Sequence, residues 1–234
     1  MTQFISHLHA ALLRDRFTRR GSTLKDASPK GTHKVYERME KITLPQPKKL
    51  EAALGDALRG RSSYRGGSTD VHIPLETWGT LLGYALGKKV ETSKRNYPSG
   101  GTLYPIETYL FAKIGTAAYH AFHYNPTEHS FEKLRELPDV VDIKQLVPTP
   151  KDVIFSALLV FTSVWHRSSA KYGDFAYILS LLEAGHMSQN VLLSAAALHV
   201  QSRAMAAFGD EKLIEILDLD PAYEQPVHSI VLSA

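Results

Sequence analysis

The run from Phe175 to Leu198 is the longest apolar stretch in the chain, and it restricts the fold more than any other segment. It has the length of a membrane-crossing helix. However, Glu183, His186, Gln189 and Asn190 interrupt it near the middle, where such groups are costly in hydrocarbon. A helix buried at the centre of a globular domain satisfies both facts. Gly185 and the small residues Ala184, Ser188 and Ala195 would let a second helix approach it closely. A chain of 234 residues built round one such helix fits a single large domain, and a 44% hydrophobic content suffices for a sizeable core.

Shorter elements follow from periodicity. Leu50, Ala53, Leu54, Ala57 and Leu58 recur at helical spacing and predict an amphipathic helix over 48–59. Pro74 and Gly87 bracket LETWGTLLGYAL as a second helix. IETYLFAKI and AAYHAFHY, joined at Gly115 and Thr116, predict a β-hairpin. DVIFSALLVFTSVW and VHSIVLS predict two further buried strands, and Asp210 is expected to cap a short helix carrying Leu213, Ile214 and Leu217. Residues 1–47, with a short helix near Phe4 to Phe17 and then polar sequence, look like an appended arm ahead of a domain over 48–234.

Composition removes several chemistries. With no cysteine there is no disulfide, catalytic thiol, iron–sulfur cluster or Cys-ligated zinc. A net charge of +3 is far from the basic stripe of a nucleic-acid binder, so no nucleic-acid partner is expected. MTQFISHLHAALLRDR lacks a basic start followed by an unbroken apolar run, which makes a cytoplasmic location the default and leaves no membrane partner expected. Among 11 histidines, His120 and His123 sit three apart in a strand and so on opposite faces, and His7 and His9 sit two apart in a helix. No metal site is expected.

Three segments carry candidate chemistry. In RGRSSYR, Arg61, Ser63 and Arg65 alternate and would point one way from an extended backbone, a donor set suited to a phosphate; a solvated basic helix end explains the same residues. In RNYPSGGTLYPIE, Pro98, Ser99, Gly100 and Gly101 offer unusual backbone freedom and a hydroxyl beside an apolar segment, as a flat ligand or an ordinary loop would need. In SSAKYGDFAY, Lys171 in a desolvated pocket could act as a base with Tyr172 as proton partner, or the two could be a surface lysine and a half-buried tyrosine. Glu183 and His186 are read as packing and polar-network residues.

Taken in order, RSSYR, YPSGGTLYPIETYL, AKYGDFAYILSLLEAGHMSQNVLLSAAAL and AFGDEKLIEILDLD closely resemble the SagB/ThcOx-type dehydrogenases of the nitroreductase superfamily, over about residues 34–234. The resemblance implies a nitroreductase-like α+β fold with a central, mostly antiparallel sheet flanked by helices, in an intertwined homodimer that binds FMN at the subunit interface. It implies that Arg61, Ser63 and Arg65 hold the FMN phosphate and ribityl chain, that Pro98, Ser99 and Gly101 lie along the flavin, and that the Ala206-Ala207 turn approaches it. Lys171 and Tyr172 would be the pair that abstracts a proton while a thiazoline or oxazoline ring of a peptide natural product is oxidised. The implied partners are an azoline-containing peptide and a synthetase complex or carrier protein. His199-Val200-Gln201 and Ala206-Ala207 depart from the glycine-rich pattern of relatives. Alternatives within the resemblance are a nitro or quinone reductase using NAD(P)H and a non-catalytic scaffold that binds a leader peptide.

Overall fold

A computed structural model describes residues 2–13, 33–66, 72–89, 91–92, 94–137, 143–149 and 153–234. Among the described residues, six α-helices, α1 (Thr2–Leu13), α2 (Leu54–Gly60), α3 (Leu75–Leu86), α4 (His166–Tyr172), α5 (Phe175–Ala197) and α6 (Asp210–Leu217), surround one sheet. Its strands are β1 (Glu40–Thr43), β2 (Ile106–Ala112), β3 (His120–Asn125), β4 (Ser130–Glu136), β5 (Ala157–Val164), β6 (Gln201–Met205) and β7 (Glu224–Ser233). The order is β1-β4-β3-β2-β5-β7-β6, and every pairing is antiparallel.

The sheet is buried on both faces, which explains its unbroken apolar strands. In β5, Ala157, Leu159 and Phe161 face one core with Trp78, Leu81 and Leu82 of α3 and Met187 and Val191 of α5. Leu158 and Val160 face a second core with Leu213, Ile216 and Leu217 of α6 and with Leu146 and Phe155. Alternation of period two therefore survives in space even where hydrophobicity does not alternate along the chain. Each of these large side chains contributes roughly 1.5–3 kcal/mol through its removal from water.

The long apolar run is the helix α5, with Glu183 buried inside it. Among the described residues, no helix is long and apolar enough to cross a membrane. The hairpin forms as expected, with Tyr109 opposite His123. Two expectations need correction. The helix expected over 48–59 begins only at Leu54, because the preceding chain is held as a strap across α3: Lys48 N–H donates to Thr80 Oγ1 at 3.1 Å. A Cβ on Gly79 or Gly83 of α3 would collide with Pro45 or Pro47 of that strap. Asp210 is the first residue of α6 rather than its cap, and Gly209 holds the cap position without a side-chain bond. Asp210 still places a negative charge at the positive end of the helix.

Part of the N-terminal arm joins the sheet. β1 pairs with β4, and the Lys34 amide donates to Glu107 Oε1 at 2.6 Å.

Candidate functional site

The Pro98–Pro105 loop is bent by three positive φ angles, at Gly101 (65°), Thr102 (59°) and Tyr104 (50°). For the two non-glycine residues that conformation costs roughly 1–2 kcal/mol each, so the surroundings must hold it. They do so through Ser99. Its Oγ accepts the Tyr104 N–H at 2.9 Å, its carbonyl accepts the Thr102 N–H at 3.1 Å, and its hydroxyl bonds Glu183. Glu183 also takes the Ile106 backbone N–H, while its Oε1 has no hydrogen-bond partner. Burial pushes the Glu183 carboxyl up to about 8 against the pull of the Ser99 bond and the Arg95 charge. The Ser99 hydroxyl is thus engaged inside the protein.

Lys171 and Tyr172, in the last turn of α4, come to this loop. A Cβ built on Gly101 would stand 2.7 Å from Tyr172 Oη and 2.8 Å from Lys171 Nζ, so phenol and ammonium converge on one glycine. Lys171 Nζ lies 5.2 Å from the centroid of the Tyr172 ring. In the single chain Lys171 is exposed and Tyr172 half-buried. The second and third sequence segments are thereby one place in the fold.

The first segment is elsewhere. Arg61 ends α2 in extended conformation and lines, with Ser62, Ala196, His199 and Gln201, a cleft of about 140 Å³ at the far end of α5. Tyr64 N–H donates to Ser202 O at 2.9 Å, which lays this segment along β6. Ser63 and Arg65 are exposed on it, and Ala206 and Ala207 are exposed just past the end of β6. Gly100 packs near Leu179, whereas Arg61 lines its cleft beside Ala196. At 1.5 Å per residue these two points on α5 are about 25 Å apart.

A buried ionic network stands behind Lys171 and Tyr172, and the sequence reading did not find it. Arg167, one turn before Lys171, places Nη2 at 2.5 Å from Glu107 Oε1 and donates from Nη1 to the Tyr104 carbonyl at 3.2 Å. Glu107 Oε2 meets His123 Nε2 at 3.0 Å, and His123 Nδ1 meets Glu132 Oε2 at 2.8 Å. Burial alone would raise the Glu107 carboxyl, but His123 and the Arg167 charge hold it down at about 2. Burial would lower His123, and its bonds to Glu107 and Glu132 raise it instead. Close by, Glu224 binds Lys34 Nζ, Tyr109 Oη at 3.1 Å and Thr162 Oγ1 at 2.6 Å.

The signal for this network was a glutamate near the start of apolar β2 sequence, since a buried charge requires a partner. His123 had drawn notice only as a metal candidate beside His120. It bonds two glutamates, while His120 stands 3.4 Å from Glu136, and among the described residues no group could hold a metal ion. Glu183 is the polar-network residue it was expected to be. His186 is exposed, so its expected place in that network is not the one it takes.

A model of the nitroreductase family matches residues 58–232. One relative is a candidate nitroreductase of Methanocaldococcus jannaschii, 27% identical over 183 residues that cover 76% of this chain and 89% of that one. Another is the microcin B17-processing protein McbC of Escherichia coli, 26% identical over 141 residues that cover 57% of this chain and 52% of McbC. Three solved structures share the fold. A candidate nitroreductase of Ralstonia eutropha superposes with a TM-score of 0.71 at 23% identity, over 82% of this chain and 88% of that one. A chain of the Escherichia coli microcin synthetase McbBCD complex with truncated pro-MccB17 bound gives 0.65 at 21% identity, over 100% and 94%. A candidate nitroreductase of Desulfovibrio desulfuricans, in complex with FMN, gives 0.50 at 18% identity, over 78% and 86%. With the family model covering most of the α3–β7 fold and the Gly101 loop, the chain belongs to the nitroreductase family of oxidoreductases.

Proposed function

We propose that this protein is an FMN-dependent dehydrogenase that oxidises thiazoline or oxazoline rings in a peptide to thiazole or oxazole. The observation that carries the reading is the convergence of Lys171 Nζ and Tyr172 Oη on Gly101. An electron-transfer reductase needs no dedicated base for a carbon acid, whereas aromatising an azoline removes a proton from Cα and a hydride from Cβ. The similarity to McbC, named for processing microcin B17, supports the same substrate class.

The residues present fit the cofactor. Arg61 at a polar cleft, with Ser63 and Arg65 on the same extended segment, supplies two guanidinium groups and a hydroxyl for a phosphate. Exposed Pro98 and half-exposed Gly100 and Gly101 present backbone to a flat ring, and Ser99, whose hydroxyl is engaged with Glu183, would meet it through backbone as well. Ala206 and Ala207, exposed just past the end of β6, would offer backbone to the ring. FMN, when bound, accepts the hydride. Lys171 takes the Cα proton as base and Tyr172 shares or relays it.

The separation of about 25 Å along α5 between the Gly101 end and the Arg61 end supports a site shared between two copies, each giving one end. Leu54 and Leu58 of α2 and Tyr177 and Leu181 of α5, all exposed in the single chain, supply an apolar face for that contact. Enclosure by the partner would also desolvate Lys171.

The test is direct. Lys171→Ala and Tyr172→Phe should keep FMN and lose oxidation of a synthetic thiazoline peptide; full activity in both removes the pair from the chemistry. Mixed dimers of Arg61→Ala and Lys171→Ala chains should regain one intact site, and no recovery would argue against a site shared between copies. Protein that takes up no FMN, or whose flavin is bleached by NAD(P)H without azoline turnover, would overturn the reading.

A further inference from the structure

We propose that Arg167 is the positioning residue for the Lys171 and Tyr172 pair: its guanidinium ties the helix that carries the pair to the loop that carries Gly101. The proposal rests on the proposed function for its kinetic consequence and on geometry alone for its structural one.

Arg167 and Lys171 are four residues apart on α4 and so lie on the same side, one turn removed. A helix of 7 residues has little hold of its own on its orientation. Its start is tied to Tyr223 by the Trp165 N–H at 2.9 Å, and its buried side-chain link to β2 and the Gly101 loop is one fork, with one arm on the Glu107 carboxylate and the other on the Tyr104 carbonyl, three residues beyond Gly101. Tyr104 is in turn held at its amide by Ser99 Oγ at 2.9 Å and at its hydroxyl by the Arg95 N–H at 3.1 Å. Glu107 is held by His123 and by the Lys34 amide. The guanidinium therefore closes a loop of contacts from sheet to α4 to the Gly101 turn. A lysine could meet the carboxylate as a point charge, but it lacks the planar fork that reaches both acceptors at once.

The experiment uses full-length protein loaded with FMN and compares Arg167→Met and Arg167→Lys with the wild type by hydrogen exchange and by thiazoline-peptide kinetics. Arg167→Met should speed amide exchange at least about tenfold in residues 99–105 and 166–173 together, with β5 and the centre of α5 unchanged. Its kcat should fall about 100-fold with KM within about threefold and FMN retained, as expected for displaced reacting groups. Arg167→Lys should fall between. If Arg167→Met does not fold, the charge-neutral pair Arg167→Met with Glu107→Gln replaces it. Unchanged exchange in 99–105, or a wild-type kcat with either variant, overturns the proposal. If the wild type oxidises no azoline, the functional reading fails and the exchange data alone still decide whether Arg167 couples the two segments.

Discussion

The two ends of α5 are built on different terms. At its start, Gly101, Lys171 and Tyr172 are set against a strained loop that Ser99, Glu183, Arg167 and Glu107 hold from behind by buried hydrogen bonds and ion pairs. At its end, Ser63 and Arg65 are exposed, and the segment that bears them is tied to β6 by the Tyr64 amide. The contrast matches what each end would do under the proposed function. A base that must meet a carbon acid in one geometry benefits from being placed before the substrate arrives. Donors for a phosphate can be ordered by the anion they bind, since the charge-assisted bonds form with it.

Substitutions should separate the two ends, and the largest effect belongs to the supporting ion pairs. Glu107→Ala leaves Arg167 buried without its carboxylate and His123 with Glu132 alone, and should cost roughly 3–5 kcal/mol in a denaturant titration. A loss below about 1 kcal/mol would mean the network is dispensable. The same carboxyl sets an acid limit. Its folded value of about 2 lies below the ordinary carboxylate range, so its stabilisation is present above about pH 4.5 and lost as pH falls toward 2. Glu107→Gln should flatten that part of the stability curve.

Next comes Gly101→Ala, which inserts a methyl where Lys171 and Tyr172 end and forces a side chain into φ 65°. The kcat for a thiazoline peptide should drop about 100-fold while FMN binding is kept. Loss of FMN binding together with catalysis would show that the loop serves the cofactor more than the base.

At the other end, Arg61→Ala should weaken FMN by about 1.5–3 kcal/mol and leave the unfolding midpoint of the apoprotein near that of the wild type. Arg65→Ala, more exposed, should act in the same direction with a smaller effect. A stability loss equal to that of Glu107→Ala would abolish the distinction between the two ends.

The subtlest test concerns Glu183. Its folded value of about 8 lies above the unfolded one, so the wild type loses stability as pH rises from about 4.5 to 8. Glu183→Gln should lessen that decline, as read from chemical denaturation at pH 6 and pH 9. An unchanged slope would show that the carboxylate finds stabilisation that offsets its burial.

How far the fold was legible depended on the kind of signal. α5, α3, the β2–β3 hairpin, β5 and β7 could be read because long apolar runs and turn residues mark them locally. β4 and β6 carry mixed polar sequence, SFEKLRE and QSRAM, and are strands because of the neighbours they pair with. The stripe through Leu54 and Leu58 was seen correctly as apolar, but both residues are exposed in the single chain. For the candidate site, residue types and order pointed to Lys171, Tyr172 and the Gly101 loop, which the fold brings together. They could not supply Arg167 and Glu107, sixty residues apart, as a pair.

The sequence by itself determined the inventory: a helix that had to be buried, strands apolar enough to be covered on both faces, a chemistry without thiols, and three candidate segments. Periodicity and composition are local properties, and they act on each segment alone. The tertiary structure decided which of these segments meet. It joined Lys171 and Tyr172 to Gly101, sent Arg61 to the other end of α5, and enclosed a glutamate with an arginine and a histidine. That outcome depends on desolvation, because only after burial does each charge require a particular partner, and burial is set by the packing of the whole chain.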